Sequence, residues 1–316
     1  MTNTTPGAIP RKPFGKTGVQ VSIIGIGGAT LGNADSYLTA ERIVHQSIDA
    51  GVNFMDNAWE YNKGKSEEWM GKALKGRRGE VFLMTKVCTH GRDKNVAMSM
   101  LEDSLRRLQT DRLDLWQIHE VIYYNDPDLH FRENGAVEAL LQAQKEGKVR
   151  YIGFTGHKAP AIHMRMLQMA DERGVKFDAL QLPLNCFDAS FHSFEQEVLP
   201  EANRRGMAAL GMKSLGGSGA SILEGAVTAR EALSYAMSLP VATTISGIES
   251  IKILEQNLSI ARDFKPYSAD EMEELRKRCR PAASDGHLEL YKTSMEFDAD
   301  EGRKQHGFPS EKEMVG

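Results

Sequence analysis

Apolar positions along the chain follow two alternating periods. Short runs are apolar almost throughout, at residues 23–26, 53–55, 81–85, 113–118, 150–154, 179–182, 207–210 and 241–245. Between them, apolar residues recur every three or four positions, over 40–50, 66–74, 96–108, 136–144, 161–170, 194–203, 229–237 and 251–261. The first spacing predicts buried strands and the second amphipathic helices. Ile43, Val44, Ser47 and Ile48 share one helical face, as do Leu101, Leu105 and Leu108. Gly51, Gly76 and Gly147 stand just past three of the helical stretches, where a glycine stops a helix. Strictly alternating units imply a parallel sheet with right-handed crossovers. Eight of them, over roughly residues 23 to 262, predict a closed (β/α)8 or TIM barrel rather than a doubly wound open sheet.

The flanks differ from this pattern. Phe14–Ser22 predicts a small β-hairpin with Lys16-Thr17-Gly18 in its turn, placed to plug the lower end of the barrel. Beyond Pro266, Ala269–Cys279 predicts an extra helix, and 281–316 a charged tail with Tyr291, Phe297 and Phe308 scattered along it. The expectation is one domain over 1–316, with the barrel at about 23–262 and a C-terminal extension at 263–316.

Composition narrows the classes. The 316 residues are 41% hydrophobic and 26% charged, with a formal net charge of −4, which is ordinary globular composition. No basic run stands out, so neither nucleic acid nor a membrane surface is an expected partner. No stretch of about 18 apolar residues suggests a membrane span, and Met1–Arg11 lacks the apolar core of a signal peptide. Cys88, Cys186 and Cys279 are too far apart for a metal motif or a disulfide framework, which fits a reducing cytoplasm and no metal. Composition leaves monomer and homo-oligomer equally open.

Chemistry concentrates at strand ends. In Gly51-Val52-Asn53-Phe54-Met55-Asp56-Asn57-Ala58-Trp59-Glu60-Tyr61 a helix stops, a short strand runs, and an acid ends it, with a tyrosine five residues on. The next two strands end at Lys86 and His119. Taken singly these residues are ordinary: an acid capping a helix, a solvated lysine, a core histidine. Together on successive strands they form a proton-transfer set. A carbonyl that accepts hydride needs a proton, and a free phenol near pKa 10 is a poor donor. Lys86 would lower the Tyr61 pKa, Asp56 would keep Lys86 charged, and His119 would position the carbonyl oxygen.

The same residues carry a resemblance to the aldo-keto reductase family. One signature resembles Gly51-x-Asn53-x-x-Asp56-x-Ala58-x-x-Tyr61, continuing through Ser66-Glu67 to Gly71. A second resembles Ser104-Leu105-Arg106-Arg107-Leu108-Gln109-Thr110-Asp111-Arg112-Leu113-Asp114-Leu115, running into Gln117-Ile118-His119. The resemblance covers about residues 13 to 262. It implies the barrel and NAD(P)(H)-dependent reduction of an aldehyde or ketone, or the reverse oxidation. Tyr61 would be the general acid/base, tuned by Lys86 and Asp56, with His119 orienting the carbonyl; Asn57 departs from the small hydroxyl residue usual after the aspartate.

The resemblance also implies an extended dinucleotide across the strand ends. Candidates are Gly28 and Ala29 in the first glycine run, Thr155 and Gly156 (with His157 as substitute), and Gln181. Met212 would cover the nicotinamide, Lys213 would pair with the pyrophosphate, and Ser214 and Gly216 belong to the loop Gly216-Gly217-Ser218-Gly219. At the adenine end stand Gly247, Glu249, Gln256 and Asn257. The family's habit is NADP(H). The basic residues that a 2′-phosphate wants are missing here, with Lys252 alone nearby, which leaves NAD(H) as the alternative. Trp59, His90 and Tyr123 are the candidate substrate contacts, and the long loop 120–134 is expected to serve the pocket. Two rivals are a nucleotide-sensing regulatory subunit of the same family and a sugar-phosphate isomerase barrel.

Overall fold

The computed structural model describes residues 8–219, 222, 225–310 and 313, with the side chains of Thr89 and His90 outside that description. Two antiparallel strands, β1 (Arg11–Pro13) and β2 (Gln20–Ser22), form the hairpin. Then come β3 (Ile24–Gly27), β4 (Phe54–Asp56), β5 (Phe82–Val87) and β6 (Leu113–Ile118). They are followed by β7 (Val149–Thr155), β8 (Ala179–Pro183), β9 (Ala208–Met212) and β10 (Thr243–Gly247). Strands β3 to β10 pair in parallel in sequence order, and β10 returns to β3 to close the barrel.

Two apolar cores hold it. The larger lies between strands and helices and includes Trp116, Phe154, Leu180 and Leu254. The smaller fills the barrel itself, with Phe54, Phe82, Met84 and Leu210. Phe14 joins the second core, fully buried, with its ring 4.6 Å from that of Phe82. The hairpin plugs the lower end through Phe14 together with the fully buried Val21, with Val19 packed beside them. Its strands start earlier than the sequence suggested, at Arg11, and Phe14 belongs to the turn. The turn is tied by the Phe14 N–H to the Val19 carbonyl at 2.8 Å and by Thr17 Oγ1 to the Phe14 carbonyl at 2.6 Å. Gly15 is glycine for space as well as for its φ of 54°, since a Cβ would lie 2.7 Å from the Gly206 carbonyl oxygen.

The helices match the expected order, with three departures. The stretch 194–203 divides into Phe194–Glu197 and Leu199–Arg205, because Pro200 has no N–H to continue the ladder. The loop after β6 contains a helix, Asp126–Phe131, begun by Pro127. The helix after Ser268 runs on to Ala283, with Pro281 accepted in its last turn. In the tail, Leu290–Thr293 and Asp300–Gln305 are also helical. No helix among the described residues is long and apolar enough to cross a membrane.

Candidate active site

Strands β4, β5 and β6 end side by side. Lys86 pairs in register with Gln117 on β6, and Asp56 with Gly27 on β3. The fully buried Lys86 ammonium donates to Asp56 Oδ1 at 2.6 Å, to the Asn57 carbonyl at 2.8 Å and to the Tyr61 hydroxyl at 3.3 Å. Each of its three hydrogens has an acceptor, so the side chain is held in one direction. Tyr61 opens a single 3-10 turn, Tyr61–Gly64, in which Asn62 and Lys63 take φ of 51° and 58°. The His119 ring stands nearly perpendicular to Tyr61, centroids 5.5 Å apart, and its Nδ1 contacts the Glu60 carboxylate. The four residues singled out in the sequence therefore come together.

Asn57 is accommodated by Gly28. A Cβ on Gly28 would lie 2.6 Å from the Asp56 carbonyl oxygen and 2.8 Å from Asn57 Cγ, so only glycine leaves room for the amide. Gly28 thus shapes the acid's surroundings, which was not its expected role. Glu67 braces the other side, accepting from Thr85 Oγ1 at 2.6 Å and pairing with Arg107 at 3.1 Å.

The electrostatics reverse one expectation. Burial pushes the Tyr61 phenol well above its ordinary value, and the carboxylates of Asp56, Glu60 and Glu120 push the same way. The sequence pointed to a phenol acidified by Lys86, but that ammonium is shared with Asp56 and the Asn57 carbonyl, while three acids face the ring. Tyr61 keeps its proton at neutral pH. Burial also pushes Asp56 up, against the pull of Lys86. For Glu60 burial works upward too, yet the neighbouring His119 outweighs it and the net direction is down. Burial, with Glu60 next in weight, carries Glu120 well above the carboxylate range.

A groove of about 460 Å³ leads away from Tyr61 across the strand ends. Of the expected cofactor residues, Ala29, Gln181, Met212, Lys213, Ser214, Gly247 and Glu249 line it. Gln181 Oε1 is buried there without a hydrogen-bond partner. Lys213, at φ 56°, holds its ammonium 4.6 Å from the Phe297 ring centroid and 5.1 Å from that of Tyr291. Burial lowers its pKa to about 8.

Gly28, Thr155, Gly156, Gly216, Gln256 and Asn257 do not line this groove. Gly156 answers a packing need, since a Cβ would lie 2.2 Å from the Val121 carbonyl oxygen. Asn257 is buried and donates to Ser246 Oγ at 3.0 Å, which makes it a brace for β10, while Gln256 is exposed. His157 is also buried, its pKa lowered to about 3 chiefly by burial, and it faces Asp298 of the tail at 3.6 Å.

A second cavity, of about 580 Å³, opens on the other side of Tyr61. Trp59 lines it as expected, along with Glu60, Glu120 and tail residues around Phe297. Tyr123 does not: its hydroxyl donates to Asp298 at 3.1 Å, and its ring packs 4.0 Å from His306. The tail has claimed that side chain. His90 lies outside the described side chains. Sequence reasoning missed Glu60, Glu120 and Asp298. The first two were readable as acids adjacent to Tyr61 and His119. The third could not be found without knowing where the tail folds. One donor atom each from Glu60, His119 and Glu120 lies within 4.8 Å of the others, close enough for a shared ligand.

A closed parallel barrel thus carries an acid, an amine, a phenol and an imidazole close together at adjoining strand ends. Among barrels of this kind, residues 23–226 match the model of the Aldo/keto reductase family, and the chain belongs to that family. It is 31% identical over 201 residues to aldo-keto reductase YhdN of Bacillus subtilis, covering 59% of this chain and 56% of the relative. The matches span about half to two thirds of the length of the first curated relatives, 48% to 66%. Among solved structures, the holo form of aldo-keto reductase AKR11C1 from Bacillus halodurans superposes with a TM-score of 0.70 at 24% identity, covering 85% of this chain and 96% of that one. An aldo/keto reductase from Klebsiella pneumoniae in complex with NADP and acetate superposes at 0.68 with 23% identity, covering 84% and 94%. These two share the fold.

Proposed function

We propose that this protein reduces an aldehyde or ketone with a nicotinamide dinucleotide, and that Tyr61 supplies the proton. The observation that carries the reading is the position of Tyr61 between the two cavities, lining both. A dinucleotide in the groove and a carbonyl compound in the other cavity would meet at its hydroxyl. A bound nicotinamide nucleotide supplies hydride to the carbonyl carbon. The chain's own residues do the rest. Tyr61 gives its proton to the carbonyl oxygen, and the Lys86 ammonium, held by Asp56, stabilises the phenolate left behind. His119, whose Nδ1 is turned to Glu60 and whose ring stands edge-on to Tyr61, would border the same oxygen.

The groove fits the cofactor. The unpartnered Gln181 Oε1 is a free acceptor for a carboxamide N–H, and Lys213 is the one cation among the groove's lining residues, suited to the pyrophosphate. At the far end Glu249 lines the groove with no arginine or lysine beside it among those residues. A carboxylate repels a 2′-phosphate and accepts from a 2′-hydroxyl. The account therefore assigns NAD(H) at least as good a fit as NADP(H), against the family's habit. The test is titration with NADH and NADPH separately, read by tryptophan emission, followed by absorbance decay with a panel of aldehydes and ketones. NADH should bind at least as tightly as NADPH and be oxidised by some panel members. Binding of neither, or a tenfold preference for NADPH, would contradict the reading at its two separate points.

A further inference from the structure

The loop that carries Tyr61 is held from outside. It leaves β4 at Asp56, passes Trp59, turns at Tyr61–Gly64 and enters the helix Lys65–Ala73. Asn62, Lys63 and Gly64 take φ of 51°, 58° and 88° in succession. Left-handed backbone is unfavourable for residues with a Cβ, and two in a row persist only where the surroundings enforce them. Within the loop, the Tyr61 N–H meets the Ala58 carbonyl at 3.2 Å and the Lys63 N–H the Glu60 carbonyl at 3.0 Å. Asn62 Nδ2 donates to Asn33 Oδ1 at 2.6 Å, but at the exposed rim.

Arg107 supplies the enforcement. It is the last residue of the helix Lys94–Arg107, between β5 and β6. Gly71 lets the helix Lys65–Ala73 come close to it, since a Cβ there would lie 2.4 Å from the Arg107 carbonyl oxygen. The Arg107 side chain reaches the loop on both sides of Tyr61 in the chain. Its Nη1 donates to the Trp59 carbonyl at 2.9 Å and to Glu67 Oε2 at 3.1 Å. The guanidinium carbon is 5.1 Å from the Trp59 ring centroid. Gly64 packs against the same group, and a Cβ there would lie 2.6 Å from Arg107 Cζ. Glu67 is fully buried, and its other oxygen accepts from Thr85 Oγ1 at 2.6 Å, on β5 next to Lys86. A continuous path of contacts therefore joins the loop of the phenol to the strand of the ammonium.

We infer that Arg107, braced by Glu67, is a positioning residue for Tyr61: its guanidinium clamps the loop 59–64 against β5 and so fixes the hydroxyl within reach of Lys86. This rests on the reductase reading and adds what holds its proton donor in place. The Tyr61–Lys86 contact, at 3.3 Å, is already long for a hydrogen bond, so a small shift of the loop breaks it. Arg107 also borders the substrate cavity, and direct contact with substrate is the rival. Kinetics separate the two: a misplaced donor lowers kcat, whereas a lost substrate contact raises KM.

Arg107→Met should lower kcat at least about tenfold across the aldehyde panel, with KM and NADH affinity within about twofold of the unaltered protein. In a Tyr61→Phe background the same change should cost less than about twofold, because the donor to be positioned is gone. Arg78→Met is the control. Arg78 pairs with Asp114 at 2.9 Å near the start of β6, away from the site, and its loss should leave kcat within about twofold. A raised KM at unchanged kcat gives Arg107 to the substrate and overturns the inference, as does a loss of kcat undiminished in the Tyr61→Phe background. Arg107→Met leaves the Glu67 carboxylate buried without its cation. If that variant does not fold, Arg107→Met with Glu67→Gln removes both charges and is measured in the same way. If no aldehyde turns over even in the unaltered protein, the reductase reading fails, and trypsin still tests the clamp. Native Arg107→Met should then be cut after the exposed Lys63 at least about tenfold faster than the unaltered protein, and an equal rate overturns the inference.

Discussion

Lys86 and Lys213 show how differently one residue type is used around one site. Lys86 is saturated by three acceptors, including a carboxylate at 2.6 Å. Lys213 has aromatic rings for neighbours and a pKa lowered to about 8 by burial. Only its charged form attracts a pyrophosphate, so binding draws a proton onto it and raises that value. Affinity for NADH should be full below about pH 7 and weaken as pH rises through 8, by at most about tenfold per pH unit. Titrations at pH 6.5, 7.5 and 8.5 check this, and Lys213→Met should bind more weakly and flatten the slope. A slope that survives the substitution would move the pyrophosphate elsewhere. At this scale the sequence was legible for Asp56, Tyr61, Lys86 and His119, because strand ends bring such residues to one face. It was misleading for the direction of the Tyr61 shift, which comes first from burial of the phenol and then from the Asp56, Glu60 and Glu120 carboxylates. Sequence adjacency names those acids without saying which way they point.

At the scale of elements, the tail is where reading ran out. Its charged composition named no place for it, and Tyr291, Lys292 and Arg303 prove to be buried. Lys292 donates to Asp188 at 2.7 Å, to the Phe191 carbonyl at 2.7 Å and to Glu289 at 3.0 Å. Further along, His306 meets Asp126 at 3.1 Å and Arg92 at 2.7 Å. Apart from the Glu289 contact, these pairs join residues 101 to 214 positions apart, and no local period reveals such partners. The helix Asp126–Phe131 was more accessible, since an acid followed by proline is a helix start, but 120–134 read as one long loop. Lys292→Met would leave Asp188 and Glu289 buried with no ammonium between them. It should cost about 3–5 kcal/mol, the penalty for breaking a buried ion pair by one partner. Denaturant unfolding measures the loss, and limited proteolysis should cut the tail of the variant before the barrel. A loss within a few tenths of a kcal/mol would mean that the tail is held by its apolar contacts alone.

For the whole molecule, the barrel explains why the architecture was legible when the site was only partly so. Eight strands buried on both faces and eight one-sided helices each leave a local period, and closure follows from their count. Both cavities, by contrast, form where the strand ends meet long connections and, on the substrate side, the tail, whose courses are set by contacts distant in sequence. Tyr61 stands where they meet, and the account's central claim is that its hydroxyl is the proton donor. The most direct test is Tyr61→Phe, measured for NADH binding by tryptophan emission and for turnover with the best aldehyde of the panel. The account predicts binding within about twofold of the unaltered protein and turnover reduced by at least ~10²-fold, the low end of what general acid catalysis contributes. Turnover that persists undiminished with phenylalanine at position 61 would contradict it.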